Sequence, residues 1–197
     1  MDFKRWIRNQ SVVRWLFHRI FVTGDNVRLC VQQPLLQGLM PSEARLALDA
    51  GAGSGEYTRS LLVPRARHTV ALDISDEGLR RLGTRLSSDQ QQKCSLVQGS
   101  LEQLPFADGV FDLVLCSEVL EHCPDDDKAI GELARVLTSD GLLVISVPMP
   151  PPAIEDPAHV RDGYTVEQLQ ELLSAHGLEC RQAVPCMLGL TRRALRL

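Results

Sequence analysis

The stretch Leu46-Ala-Leu-Asp-Ala-Gly51-Ala-Gly53-Ser-Gly55-Glu-Tyr-Thr58 decides how the chain is expected to fold. An apolar run ends at Asp49, three alternating glycines follow, and a helix-compatible stretch begins after Gly55. Glycine tolerates positive φ and carries no Cβ, so the pattern predicts a strand that turns sharply into a helix, with a ligand against the bare backbone. The first turn of that helix offers unpaired N–H groups to an electronegative ligand group. The ligand is expected at the carboxyl end of the strand.

A second acidic residue follows the glycines at a spacing that suits a nucleoside. Asp73 ends the apolar run His68-Thr-Val-Ala-Leu-Asp73. A carboxylate about 20 residues beyond such a loop is positioned to accept hydrogen bonds from both hydroxyls of a ribose. The glycines are spaced Gly-x-Gly-x-Gly, which fits the dinucleotide fingerprint Gly-x-Gly-x-x-Gly poorly. The alternative interpretation of Asp73 is an N-terminal cap of the helix that starts near Ser75.

The rest of the chain alternates β-rich runs with amphipathic stretches, which predicts a doubly wound α/β fold with a mostly parallel sheet. Strands are predicted near 45–50, 68–73, 94–98, 111–117 and 141–147, and helices near 55–62, 76–87, 125–138 and 165–176. Thr165 and Gln168 have the spacing of a capping box at the last helix. Residues 178–187 could supply one antiparallel strand, and only 188–197 remain after it, so the C-terminal end of the fold is expected to be shortened.

Length, composition and charge indicate one globular domain with an N-terminal extension. The chain has 197 residues, of which 44% are hydrophobic and 23% charged, and its net charge is -4. Residues 1–35 hold six basic and two acidic side chains, so they carry +4 and the remainder carries -8. We therefore expect a basic amphipathic helical segment over 1–35 and the main domain over 36–197. The acidic main domain argues against a general nucleic-acid binder.

The N-terminal segment has two possible roles. Residues 3–22 are basic and aromatic, with an apolar stripe at helical spacing. Such a helix could be a lid over the substrate pocket, or it could lie on an anionic membrane surface.

The cysteines indicate free thiols rather than disulfides or a metal centre. Six cysteines are present, none in a C-x-x-C pair, and no close His/Cys cluster has zinc spacing. No metal site is therefore predicted. The sequence shows no secretory signal and no apolar run near the ~20 residues of a membrane span, which favours a reducing cytoplasm.

Several motifs of the chain, taken in order, resemble those of a known family. The run Asp49-Ala-Gly-Ala-Gly-Ser-Gly55 is similar to motif I of the class I S-adenosylmethionine-dependent methyltransferases, and the run from Gly99 to His122 is similar to their middle motifs. Gly141-Leu-Leu-Val-Ile-Ser-Val-Pro148 resembles their fifth strand, so the likeness covers roughly residues 44–180. It implies a Rossmann-like fold, S-adenosyl-L-methionine as cofactor, and methyl transfer to a small-molecule acceptor, with oxygen slightly favoured. The alternative class is a non-catalytic cofactor-binding subunit with a regulatory or scaffold role.

The resemblance also implies roles for residues at the matching positions. The cofactor would be held by Asp49, Gly51, Gly53, Gly55, Asp73, Ile74, Ser100, Leu101 and Ser117. Asp49 would orient the glycine loop, Asp73 would accept the ribose hydroxyls, and Ile74 would pack on the adenine. Ser100 stands where many relatives carry an aspartate for the adenine amino group, and the Leu101 N–H would donate to the ring. Ser117 would lie beside the sulfonium.

Three residues are candidates for contact with the acceptor or for proton transfer. Histidine is a common general base in enzymes, so His122 could act as a base, although a structural role in the next loop is an equal alternative. His159 and Tyr164 are expected on the proline-rich loop opposite the cofactor and could contact the acceptor or take its proton, the alternative being surface positions. The oligomeric state stays open.

Overall fold

The computed structural model describes residues 31–150 and 157–184. The lid or membrane role predicted for residues 3–22 therefore lies outside the described residues. The chain divides into two compact units, Met1–Gly38 and Leu39–Leu197. In the first unit, the described residues begin at 31 and lead into helix α1, Gln33–Leu39, which extends to the boundary.

The second unit contains a parallel sheet. Its strands in the described residues are β1 (Ala44–Ala50), β2 (Ala66–Asp73), β3 (Cys94–Gln98), β4 (Phe111–Ser117) and β5 (Leu137–Ser146). They lie in the order β3-β2-β1-β4-β5, and every pair is parallel. The chain moves outward from β1 in both directions, so the order reverses between β1 and β4. This confirms the predicted doubly wound fold and creates a crevice at the carboxyl ends of those two strands.

Helices cover the sheet. They are α2 (Asp76–Arg85), α3 (Ser88–Gln92), α4 (Asp126–Val136) and α5 (Val166–Ala175), with a π-helical turn at Thr58–Leu62 and a 3₁₀ turn at Leu120–His122. The predicted capping box is confirmed at α5, where Thr165 and Gln168 satisfy each other's backbone N–H groups. Ser75 caps α2 by accepting from the Gly78 N–H. Helix α3 was not predicted; it is only five residues long and begins with its own capping box.

Each face of the sheet packs on a different hydrophobic cluster. On one face Leu48 and Val114 pack with Ile130 and Leu133 of α4, and all four are fully buried. On the other face Leu82 of α2 packs over β2. Burial of such a side chain stabilises the fold by about 1.5–3 kcal/mol, so these layers fix the sheet and, with it, the position of the strand ends.

Two features differ from the sequence expectation. Strand β5 begins at Leu137, directly after α4, and its register against β4 breaks between Phe111 and Leu113. The described residues 178–184 do not form the expected additional strand. Residues 181–184 are exposed, so this segment has no apolar face to pack as a strand would. The helix before it ends at Ala175, and Gly177, with φ of +75°, follows in the turn that leaves the helix.

The four cysteines within the described residues, Cys94, Cys116, Cys123 and Cys180, are free thiols. Burial raises the pKa of Cys94 and of Cys123 to about 11, which keeps both thiols protonated. Among the described residues no helix has the length and apolar character needed to span a membrane.

Candidate functional site

The glycine loop makes the sharp turn that its sequence predicts. The N–H groups of Gly51 and Ala52 both donate to the Leu72 carbonyl, at 2.8 and 2.9 Å, which ties the end of β1 to β2. Gly51, Gly53 and Gly55 have φ of +87°, +52° and +78°. L-residues rarely adopt such angles, so glycine is needed to form this turn without strain.

The three glycines have different surroundings. A Cβ on Gly51 would collide with the Val119 side chain, and a Cβ on Gly55 would collide with Leu82. A Cβ on Gly53 would meet nothing within 4 Å. The outer two glycines therefore serve internal packing, whereas the middle one faces open space that a ligand can approach.

Asp73 connects the glycine loop to the end of β2. Its Oδ2 accepts from the Gly53 N–H at 2.7 Å, and its Oδ1 accepts from the Ser75 N–H at 2.8 Å. Each carboxylate oxygen retains capacity for another donor, such as a hydroxyl. Ile74, the next residue, is 73% exposed, an unusual position for a large apolar side chain. Residues 49–55 and 73–75 are called the glycine-loop edge below.

Asp49 lies inside the protein at the end of β1. It is 3% exposed, and its Oδ2 accepts from the Thr58 hydroxyl at 2.5 Å. Burial raises the pKa of Asp49 to about 6, against the lowering effect of the Thr58 bond. Its carboxylate is bonded to Thr58 of the helical turn that follows the loop, so it holds the loop through Thr58.

Ser100 and Leu101 follow β3. The Ser100 hydroxyl accepts from the Glu102 N–H at 3.2 Å, which forms a local turn, and its proton can still be donated. The Leu101 side chain is 6% exposed and packs into the core. Their predicted contacts with an adenine ring stay predictions.

The end of β4 contains strained backbone and buried polar groups. Glu118 has φ of +56°, a left-handed conformation that is uncommon outside glycine. It is held by β5, since its N–H donates to the Ser146 carbonyl at 2.8 Å and its Oε1 accepts from the Ser146 hydroxyl at 2.7 Å. The Ser117 hydroxyl is buried and has no hydrogen-bond partner among the described residues. Strained residues of this kind cluster at functional sites.

A segment after β5 is fastened onto the turn after β4. Arg161 donates to the carbonyls of Leu120 and Cys123 at 2.8 and 2.7 Å, and the Val160 N–H donates to the Glu121 carbonyl at 3.0 Å. These bonds bring together residues about 40 positions apart in sequence. Residues 117–126 and 157–164 are called the β4 edge below.

Two of the three predicted acceptor residues meet at the β4 edge. The rings of His122 and His159 lie edge to face with centroids 4.6 Å apart, and His122 Nδ1 lies 3.1 Å from the Ala158 carbonyl. Glu121, which the sequence reading did not select, lies beside them and is fully buried. Nothing in the linear spacing indicated this group, because His159 reaches it only through the fold.

Tyr164 is buried and is bonded to a partner other than the imidazoles. It is 6% exposed, and its hydroxyl donates to Asp126 Oδ2 at 2.7 Å. Burial and the neighbouring Asp126 raise the pKa of Tyr164 well above its ordinary value, so its phenolate form is unfavourable. Its geometry is that of a residue that anchors the segment, and its role in proton transfer stays a prediction.

Comparison with known proteins identifies the family. A family described as "Methyltransferase domain" matches residues 48–145, which run from β1 through β5 and include the glycine loop and Asp73. The chain belongs to the class I S-adenosylmethionine-dependent methyltransferase family.

The relatives agree with this assignment. The chain is 28% identical over 172 residues to the uncharacterized methyltransferase YcgJ of Bacillus subtilis, covering 81% of the chain and 65% of that protein. A probable S-adenosylmethionine-dependent methyltransferase of Mycobacterium tuberculosis is 33% identical over 117 residues, covering 59% and 40%. The crystal structure of YcgJ superposes with a TM-score of 0.63 at 26% identity, covering 73% of the chain and 66% of YcgJ. The chain thus spans 40–65% of the length of these curated relatives.

The residues present fit the cofactor of this family, S-adenosyl-L-methionine. Gly53 leaves open space at the turn, Asp73 has acceptor capacity for two hydroxyls, and Ile74 offers an exposed apolar surface to a purine. These three features lie at the carboxyl ends of the neighbouring strands β1 and β2. The glycine-loop edge is therefore suited to an adenosine group.

Proposed function

We propose that the protein transfers a methyl group from S-adenosyl-L-methionine to a small-molecule acceptor. The observation that carries the proposal is Asp73, which is bonded to the Gly53 N–H and flanked by exposed Ile74. A carboxylate in this position suits a ribose, and the apolar side chain beside it suits an adenine. When bound, the cofactor supplies a methyl group that is already activated as part of a sulfonium.

The acceptor is proposed to bind at the β4 edge. The crevice formed where the strand order reverses lies at the carboxyl ends of β1 and β4, and ligands of open α/β sheets bind there. Ser117 and Glu118 stand at that end of β4, and His122 and His159 follow on the same edge. Alignment of the acceptor atom with the methyl group supplies a large part of the rate enhancement. In this proposal, the two imidazoles contact the acceptor or its proton.

The acceptor atom is proposed to be oxygen, by a small margin over nitrogen and carbon. The relatives support the reaction type more strongly than the atom: one is named malonyl-[acyl-carrier protein] O-methyltransferase (Methylovorus sp., 28% identical) and another ubiquinone/menaquinone biosynthesis C-methyltransferase (Vibrio parahaemolyticus, 31% identical). A cytoplasmic location is proposed with it, and the free thiols of the described residues support a reducing compartment.

Calorimetric titration of the full chain with S-adenosylmethionine and S-adenosylhomocysteine tests the cofactor site. We expect both to bind, and Asp73→Ala to weaken binding by about 1–3 kcal/mol, because charge-assisted hydrogen bonds are lost. Asp76→Ala is the matched control, since Asp76 is an exposed carboxylate three residues away that pairs with Arg80 on the surface of α2. Absence of heat from both ligands would overturn the proposal.

Incubation with a metabolite extract and S-adenosylmethionine tests turnover. We expect mass spectrometry to detect a product larger than its precursor by one CH₂ group, formed by the native chain and, at limiting S-adenosylmethionine, in smaller amount by Asp73→Ala. Tight cofactor binding without any methylated product would instead favour a non-catalytic subunit.

A further inference from the structure

Three metal-ligating side chains converge at the β4 edge. Glu121, His122 and His159 each offer one ligand atom, and these atoms all lie within 4.8 Å of one another. Metal–nitrogen and metal–oxygen bonds of about 2.0–2.2 Å place neighbouring ligand atoms roughly 3.0–3.6 Å apart. Small side-chain rotations therefore suffice for the three atoms to share one ion.

The hydrogen bond of His122 favours metal binding. Its Nδ1 lies 3.1 Å from the Ala158 carbonyl, which can only accept, so Nδ1 carries the proton. The lone pair is then on Nε2, which is free of that carbonyl. A ligating imidazole almost always donates its other N–H to a carbonyl or carboxylate in this way, because the bond fixes the tautomer and the orientation of the ring.

Glu121 offers a carboxylate ligand next to the two imidazoles. Its side chain is fully buried, so a divalent ion bound there would interact with the carboxylate in surroundings of low dielectric. His122 and His159 are only partly buried, so the site is accessible from one side.

The three ligands stand on anchored backbone. Glu121 and His122 belong to the 3₁₀ turn Leu120–His122, and His159 is followed by Val160, whose N–H donates to the Glu121 carbonyl. Arg161 fastens the same segment to the carbonyls of Leu120 and Cys123. The backbone positions of the ligands are thus fixed before an ion arrives, which reduces the entropy lost on binding.

We propose that Glu121, His122 and His159 form a binding site for one divalent first-row transition-metal ion. Two imidazole nitrogens and one carboxylate suit ions such as Zn²⁺, Fe²⁺ or Co²⁺, whereas Mg²⁺ and Ca²⁺ prefer oxygen ligands. Three protein ligands leave coordination positions for water or for an acceptor oxygen. The site does not depend on the proposed methyl transfer, although an ion there would hold the acceptor beside the crevice.

The test uses the full chain after chelation and removal of the chelator. We expect calorimetric titration with Zn²⁺ to show one site, and Co²⁺ to produce a visible d–d absorption band at one equivalent. His159→Gln should weaken both by about tenfold or more. The matched control is His176→Gln, because His176 forms a separate imidazole–carboxylate pair with Asp127 at 2.9 Å and should not affect binding.

Two outcomes would overturn the proposal. One is a native chain that binds Zn²⁺ no better than His159→Gln; the other is equal weakening by His176→Gln, which would indicate scattered surface binding. Glu121→Gln removes the buried charge and could prevent folding, so the partly exposed His159 gives the decisive variant. Titration with S-adenosylmethionine in metal-free buffer is read separately, so loss of the metal site and loss of the cofactor site remain distinguishable.

Discussion

The glycine-loop edge and the β4 edge are built by different means, although both occupy carboxyl ends of one sheet. The first is a short glycine motif closed by a bond between Gly53 and Asp73, which are only 20 positions apart. The second joins two distant segments through bonds that span 36 to 41 positions, such as those of His122 to Ala158 and of Arg161 to Leu120. A local motif can be recognised from sequence, whereas a site assembled across the fold cannot.

The two edges also differ in backbone strain. Glycine occupies the left-handed positions at the first, so its turns cost little. At the β4 edge the left-handed residue is Glu118, and the two bonds to Ser146 offset its unfavourable φ. The turn at the glycine-loop edge therefore needs little support from other contacts, whereas the conformation of Glu118 at the β4 edge depends on its bonds to β5.

Gly51→Ala should have the largest effect, because Gly51 is where the two edges touch. An L-residue at φ of +87° is strained, and its Cβ would collide with Val119. Strain and overpacking together should lower the free energy of unfolding by about 3 kcal/mol or more. Urea denaturation measures this change.

Gly53→Ala is the control for that substitution. It also places a Cβ on left-handed backbone, but into open space. It should lower stability by only about 1 kcal/mol while still weakening S-adenosylmethionine binding. Equal destabilisation by both variants would mean that the collision with Val119 does not contribute to the loss of stability in Gly51→Ala.

The pH dependence of stability should reveal Asp49 at the glycine-loop edge. Burial raises its pKa from 3.8 to about 6 in the folded state, so the folded protein holds the proton more tightly than the unfolded chain. Its contribution is therefore fully present below pH 4 and is lost as the pH rises through 6, by about 3 kcal/mol. Asp49→Asn keeps an acceptor for Thr58 and should remove this loss, so unfolding by urea between pH 4 and 7 should show a flatter profile. Identical profiles for both proteins would refute the assignment.

Arg161→Met should loosen the β4 edge alone. The substitution removes donors to the carbonyls of Leu120 and Cys123 and the ion pair with Asp126, so stability should fall by about 2 kcal/mol. Amide exchange should accelerate in 157–164 and stay unchanged at Gly53, and S-adenosylmethionine affinity should be preserved. Arg80→Met, which breaks an exposed pair with Asp76, should change little. Loss of cofactor affinity in Arg161→Met would show that the two edges are coupled.

Sequence reasoning predicted the features that depend on neighbours in the chain. The five parallel strands and the turn at Gly51, Gly53 and Gly55 follow from local apolar runs and from backbone that only glycine adopts easily. The left-handed Glu118 and the early start of β5 at Leu137 were not predictable, because contacts with a neighbouring strand stabilise both.

The side-chain partners at the site show the same division. Asp73 was selected by its distance from the glycines, and the structure brings it to the loop. The sequence did not indicate Glu121 as a site residue, because a glutamate next to one histidine is common in sequences. Its proximity to His159 arises only in the folded structure. The sequence predicts Tyr164 near the acceptor because of its place on the proline-rich loop, but its hydroxyl is bonded to Asp126, a contact that the sequence does not indicate.

Ile74→Ser should have the smallest effect on stability and should separate the two edges most cleanly. Ile74 is 73% exposed, so its removal should change the free energy of unfolding by less than about 0.5 kcal/mol. If the adenine packs on this side chain, S-adenosylmethionine affinity should fall by about 1 kcal/mol, which is the value of partial burial of an isoleucine. Val160→Ser is the matched control, because Val160 is also exposed, at 56%, but lies on the β4 edge. Calorimetry should find weaker binding of S-adenosylmethionine only in Ile74→Ser. A larger loss of affinity in Val160→Ser would indicate that the adenine does not bind at the glycine-loop edge.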